Sequence, residues 1–101
     1  MRIITRQRLL EAVTKHPNLR ARIEFWHNAA KAAIWPHLAR TRSTFPHADQ
    51  AIVRSGRVVT IFNLGDSYRL ITAIHYNRKR IYILDILTYA DYSKGTWKNK
   101  L

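Results

Sequence analysis

Residues 57–76 read Arg57-Val58-Val59-Thr60-Ile61-Phe62-Asn63-Leu64-Gly65-Asp66-Ser67-Tyr68-Arg69-Leu70-Ile71-Thr72-Ala73-Ile74-His75-Tyr76, and this stretch decides the fold. Two runs rich in Val, Ile, Thr and aromatic residues flank Gly65-Asp66-Ser67, whose small and polar side chains suit a turn. The second run alternates. Tyr68, Leu70, Thr72, Ile74 and Tyr76 share one face, and Arg69, Ile71, Ala73 and His75 share the other. A strand, a turn and a strand are therefore predicted, the pair joined as a hairpin.

Working outward, Ala51-Ile52-Val53-Arg54, the turn Ser55-Gly56 and the strand Arg57 to Leu64 form an earlier hairpin. Tyr68 to Tyr76 is followed by a third turn at Asn77-Arg78-Lys79 and a last strand from Arg80 to Leu87. Upstream the period changes. Met1 to Thr5 reads as a short strand or extended lead-in, and Thr5 is placed to cap a helix through Lys15 with Leu9, Leu10 and Val13 on one face. His16-Pro17-Asn18 breaks it, and Asn18 can cap a second helix. Leu19, Ile23, Trp26, Ala30, Ala33 and Ile34 recur there at spacings of three and four, making one apolar stripe, with Arg20 and Glu24 on the wet side. Trp35-Pro36 ends that helix. His37 to Arg40 fits one helical turn, and Phe45-Pro46-His47-Ala48-Asp49 a turn into the sheet. The predicted class is α+β: an antiparallel meander covered on one face by two amino-terminal helices.

Composition narrows the function classes. The 101 residues fit one domain, and 47% hydrophobic residues are enough to build a core. Lys and Arg number 18 against 6 Asp and Glu, a formal charge of +12, and Arg supplies 12 of the cations. Arg presents a planar fork matched to phosphate, so nucleic acid leads the partner classes and an acidic protein comes second. The chain has no cysteine, which removes disulfides and thiolate zinc sites. No run approaches the roughly 18 apolar residues of a membrane span. Arg2, Arg6 and Arg8 interrupt any signal-peptide apolar region, so no membrane association and a cytoplasmic location are expected.

Arg69 stands at a strand start beside a loop, which suits either a phosphate-binding cation or an ion pair with Asp66 or Asp85. As a histidine, His75 is the obvious candidate for a general base, but six residues of strand put it roughly 20 Å from Arg69. It is read as structural or as belonging to the far sheet edge. His16, His27, His37 and His47 lack metal-ligand spacing, and the carboxylates are too scattered for paired acid–base work, so neither a metal nor another cofactor is expected. Gly56 and Gly65 are isolated turn glycines rather than a phosphate loop. What remains is chemistry by Arg, Lys and Tyr. RNA offers a reaction that fits, because its own 2′-hydroxyl attacks the adjacent phosphate once the strand is positioned and the developing charge neutralised. Tyr89 and Tyr92 lie three apart just after the last strand, with Lys94 behind them. Each ring can stack on a base, act through its hydroxyl, or plug the sheet end, and a neighbouring cation would make the phenol more acidic. Trp97 is open between core plug and base-stacking platform, in a tail that is otherwise polar and basic.

At these residues the chain resembles a HigB-type toxin of bacterial toxin–antitoxin pairs, within the RelE superfamily of mRNA interferases. The resemblance runs from Met1-Arg2-Ile3-Ile4-Thr5 through Lys15-His16-Pro17, Trp26, Trp35 and Phe45 to Asp49. It is strongest over Val59 to Ile71 and over Thr88 to Lys94. It implies that residues 1–101 form a single RelE-like toxin domain, an endoribonuclease cleaving translated mRNA on the ribosome without a metal. It also implies a cognate helix-turn-helix antitoxin, HigA-like, whose complex with the toxin binds operator DNA. Matched position by position, Arg69 corresponds to the family's sheet arginine, Tyr92 to its carboxy-terminal Tyr and Lys94 to the Lys that follows. Tyr89 stands where His is usual, Leu84 where a last-strand Arg is common, and the Gly65-Asp66-Ser67 loop is one residue shorter. Relatives in the wider superfamily use an active-site Tyr. A missing second Arg removes a phosphate clamp, for which Arg54, Arg57, Arg78, Lys79 or Arg80 are the candidate replacements.

The expected catalytic set is therefore Arg69, Tyr89, Tyr92 and Lys94. The expected RNA-gripping set is Arg54, Arg57, Arg78, Lys79, Arg80, Trp97 and Lys98. The rival is a binding module of the same fold, weak or inactive in catalysis, that holds RNA, the ribosome or the antitoxin. A DNA-binding regulator fits less well, because the second helix carries a packing stripe and no recognition helix follows it.

Overall fold

A computed structural model describes residues 1–101. Its elements in chain order are β1 (Arg2–Ile4), α1 (Gln7–Lys15), α2 (Arg20–Ala32), α3 (Leu38–Thr44), β2 (Asp49–Ile52), β3 (Val58–Leu64), β4 (Tyr68–His75), β5 (Arg80–Thr88) and α4 (Tyr89–Lys94). Single 3-10 turns occupy Pro17–Leu19, Tyr76–Arg78 and Thr96–Asn99. The class is α+β, as the patterning predicts. The sheet order is β1-β5-β4-β3-β2. Strands β2 to β5 form the expected antiparallel meander, whereas β1 joins the edge of β5 in parallel through Arg2, Ile3 and Ile4. The sheet is thus mixed, because the lead-in reaches the sheet by way of two helices instead of a hairpin.

The alternation in β3 and β4 holds and gives the sheet two buried faces. Phe62 and Leu64 of β3 and Leu70 of β4 face the helices, joining Leu9, Ala12, Leu19, Ile23, Trp26 and Ala30 in the main core. Phe62 is its hub. Trp26 meets that ring edge-on at 5.4 Å, Phe45 edge-on at 5.3 Å, and Trp35 stacks on it at 6.2 Å. The opposite residues, Val59, Ile61 and Ile71, close a second, smaller core with Val53 and Trp97. In β5 the phase slips. Thr72 pairs with Ile83 and Ile71 with Asp85, so Leu84 is an extra residue, and Leu84 and Leu87 turn toward the second core while Ile83 and Ile86 serve the first.

Several local expectations are corrected. Thr5 does not cap α1, since it adopts a left-handed φ of 67° and Arg6 precedes the helix without a side-chain cap. Ala12 rather than Leu10 turns inward with Leu9, leaving Leu10 exposed. Asn18 lies within a 3-10 turn and caps nothing. Helix α2 stops at Ala32, so Ala33 is extended and Ile34 lies exposed, off the stripe. The single turn expected at His37 is a seven-residue helix, its first turn capped by the His37 ring, whose Nδ1 accepts from the Arg40 N–H at 3.3 Å. Strand β2 starts and ends two residues earlier than read, at Asp49 and Ile52. No helix is long and apolar enough to cross a membrane.

Candidate functional site

The second face of the sheet, away from α1 and α2, carries the candidate site. Register places Tyr68 opposite Thr88 and Arg69 opposite Leu87, so the start of β4 meets the end of β5. The β3–β4 turn stays tight because Gly65 takes φ +70°, a conformation costly for any residue with a Cβ. Immediately after β5 the chain folds into α4. Thr88 caps it by accepting from the Asp91 N–H at 3.2 Å, a signal legible in the spacing Thr88-x-x-Asp91. The Tyr89 N–H donates to the Ser67 carbonyl at 2.7 Å, which ties the helix start to the β3–β4 turn. Gly95, at φ +75°, ends the helix in the left-handed conformation.

These ties bring three side chains together. The Arg69 guanidinium carbon lies 4.8 Å from the centre of the Tyr89 ring and 6.0 Å from that of Tyr92. The two phenol rings stand 6.3 Å apart, on one side of α4 as a spacing of three requires. Arg69 forms no ion pair with Asp66 or Asp85. Its Nη1 donates instead to the carbonyls of Tyr68 at 2.8 Å, Gly65 at 3.1 Å and Asp66 at 3.3 Å. One nitrogen is anchored by the turn, and Nη2 and Nε keep no protein acceptor. That leaves donors of the planar guanidinium for an anionic oxygen acceptor such as a phosphate. Tyr89 is half exposed beside this fork.

Tyr92 is the inner ring. It stacks on Trp97 at 5.6 Å, and the Trp97 Nε1–H donates to the Tyr92 carbonyl at 3.0 Å. Its phenol is pushed above the ordinary value of 10, first by burial and then by the Asp49 carboxylate, with Arg69 pulling the other way. The expectation that a neighbouring cation makes this phenol more acidic is therefore corrected, since desolvation outweighs the cation. Tyr92 is a hydrogen-bond donor at neutral pH.

Other expected residues lie apart from this cluster. Lys94 pairs with Asp91 at 3.6 Å, and a step of two residues from Tyr92 turns it to the other side of the short helix. Trp97 is 5% exposed and seated in the second core, so it supports Tyr92 and offers no free face to a base. The ammonium of Lys98 lies 5.7 Å from the Trp97 ring, and the Lys98 carbonyl accepts from the Arg54 N–H at 2.9 Å. Arg54 and Arg57 thus stand on the β2–β3 turn beside the tail. Arg78, Lys79 and Arg80 occupy the β4–β5 turn, where His75 pairs in register with Arg80. Both turns are at the end of the sheet opposite Arg69, six residues or roughly 20 Å along the strands. None of the five can stand in for an arginine at position 84 within the Arg69 cluster. Leu84 itself packs against the second core. His75 is exposed at the far end against Tyr82, as its spacing predicts. No group of three His, Asp or Glu residues is placed to hold a metal ion. Only Arg42 and Lys94 among the cations form ion pairs, with Asp49 and Asp91 respectively, so most of the positive charge is uncompensated.

A mixed sheet backed by helices, with an arginine and two tyrosines gathered at the end of its second face, defines the candidate site of this strongly basic α+β protein. Residues 19–95 match the HigB toxin family, described as the RelE-like toxic component of a toxin–antitoxin system. The chain belongs to this family, which implies an antitoxin partner. No curated protein matches the chain.

Proposed function

We propose that this toxin is a ribosome-dependent endoribonuclease that cuts translated mRNA by attack of the RNA's own 2′-hydroxyl, without a metal. The observation that carries the reading is the convergence of Arg69, Tyr89 and Tyr92 at one end of the sheet. In the reaction the RNA 2′-oxygen bonds to phosphorus and the bond to the 5′-oxygen breaks. A 2′,3′-cyclic phosphate and a 5′-hydroxyl result. The free guanidinium nitrogens of Arg69 neutralise the pentacoordinate phosphate, Tyr89 hands a proton to the leaving oxygen or stacks on the adjacent base, and the 2′-hydroxyl proton passes to solvent. Tyr92, held protonated, donates a hydrogen bond, and Lys94 adds positive charge from the far side of α4. The ribosome supplies the alignment that so open a site lacks.

Arg54, Arg57 and Lys98, with Arg78, Lys79 and Arg80, form the grip on ribosomal RNA at the far end of the sheet. Residues 1–101 act as one toxin domain in the cytoplasm. A helix-turn-helix antitoxin neutralises it, and operator DNA is bound through their complex. Primer extension on a defined message, with the purified toxin and with or without translating ribosomes, tests the reading. Cleavage only on ribosomes is expected, and intact message in both reactions would overturn it. The second reading, a ribosome-binding module with little chemistry, is favoured by Leu84, which places an apolar side chain where a second cation would sit. Tight ribosome binding without cleavage would select it.

A further inference from the structure

The outer edge of β5 is only half covered. β1 pairs with Arg80, Ile81 and Tyr82 and goes no further, so Ile83 to Thr88 face no strand on that side. The outward backbone groups are met by side chains instead. The Arg8 guanidinium donates to the Leu84 carbonyl, and the Ile86 N–H donates to the carboxylate of Asp85 at 2.8 Å. Because the Tyr89 N–H bonds toward β4, alternation points the Thr88 N–H outward like that of Ile86. Side-chain stoppers of this kind keep an edge from uncontrolled pairing, and a change of rotamer releases the donors and acceptors beneath them.

Beside this edge runs a groove of about 500 Å3 between β5 and α1. Its charge sets it apart. Glu11, Asp85 and Asp91 line it beside Arg8 and Lys15, so three of the six carboxylates in a chain of formal charge +12 gather in one groove. The three carboxylates give the cations of a bound peptide partners that the otherwise basic surface does not offer. The groove ends at Thr88 and Asp91, the cap and first turn of α4.

We propose that this groove receives an extended, Lys- or Arg-bearing segment of the antitoxin as an added β-strand on Leu84–Thr88. Its main chain bonds the Leu84 carbonyl and the Ile86 and Thr88 N–H groups, and its cations meet Glu11, Asp85 and Asp91. This rests on the chain's membership of a toxin–antitoxin family. The added strand abuts the helix that carries Tyr89, so neutralisation acts at the edge of the cluster and leaves the Arg69 face uncovered.

Amide hydrogen exchange, on the toxin alone and with its full-length cognate antitoxin, tests the proposal. With antitoxin at about 100 times its Kd, the Ile86 and Thr88 amides should slow about 100-fold. The double variant Glu11→Lys, Asp85→Lys should weaken the complex at least about tenfold, the size expected of close charge pairs turned repulsive. A stable complex in which those amides exchange at their free rate overturns the proposal. So does slowing confined to the other sheet edge at Asp49–Ile52, or equal slowing of Ile86 and Thr88 by a single-stranded RNA. Absence of any complex by size exclusion instead removes the antitoxin reading itself, and the proposal with it.

Discussion

Replacing Trp97 tests whether the second face of the sheet is a structural core or an RNA platform. The ring is 5% exposed, stacks on Tyr92 at 5.6 Å and packs with Val53, Val59, Ile61 and Ile71. Trp97→Ala removes that burial and leaves a cavity that flanking strands cannot close, at a cost of about 3–5 kcal/mol. It also removes the Nε1 donor to the Tyr92 carbonyl at the end of α4. Against a stability of about 5–15 kcal/mol, that is a large share of the whole. For a domain of this size each kcal/mol moves Tm by about 4–8 °C, so a fall of at least about 12 °C is expected. Differential scanning calorimetry reads it directly. Trp97→Phe separates the two roles, because it keeps an apolar plug while shrinking the face a base would need. Its RNA binding should match the parent protein, with a Tm loss well short of the alanine variant. Should Trp97→Ala melt like the parent and yet lose RNA binding, the assignment of this ring to the core is wrong.

Three further outcomes follow from local geometry. Gly65→Ala forces a Cβ into φ +70°, with the Arg22 guanidinium carbon 2.7 Å away, and should lower stability by about 1–2 kcal/mol in denaturant titrations. Thr88→Ala deletes the cap of α4, costing about 1 kcal/mol, and faster exchange of the Asp91 amide should report the frayed turn. The raised Tyr92 phenol sets a pH dependence. Folding favours the neutral form, so its contribution is fully present below the unfolded value near 10 and is lost as pH climbs through the higher folded value. As pH rises past the unfolded value near 10, the parent protein should lose stability faster than Tyr92→Phe, and identical alkaline profiles would refute the burial of this hydroxyl.

How far the sequence reveals this molecule differs between its parts. Strict alternation from Tyr68 to Tyr76 is a local signal, and it set both faces of β4, the hairpin register and the position of Arg69. The spacing of Tyr89 and Tyr92 likewise gives their shared side on α4. What escaped depends on contacts distant in sequence. Nothing local marks Leu84 as a bulge, since Ile83, Leu84, Ile86 and Leu87 read as one apolar run whichever face each takes. β1 pairs in parallel because α1 and α2 carry the chain across the core, which three residues of strand cannot announce. Tyr92 was expected to be more acidic from its basic neighbours, yet burial against Trp97 decides the sign, and burial is a tertiary property. The arginines at 54, 57, 78 and 80 look interchangeable in a sequence, and only the course of the meander sends them to the end opposite Arg69.

In the proposed reaction Arg69, anchored by the turn carbonyls and flanked by two phenols, neutralises the phosphate at which RNA is cut. Single-turnover cleavage of message on programmed ribosomes by Arg69→Ala measures it, with circular dichroism to establish that the fold is kept. A loss of about 100- to 1,000-fold is expected, the size seen when one charge-stabilising donor is removed from an active site. A folded Arg69→Ala protein that cuts at the parent rate would contradict it.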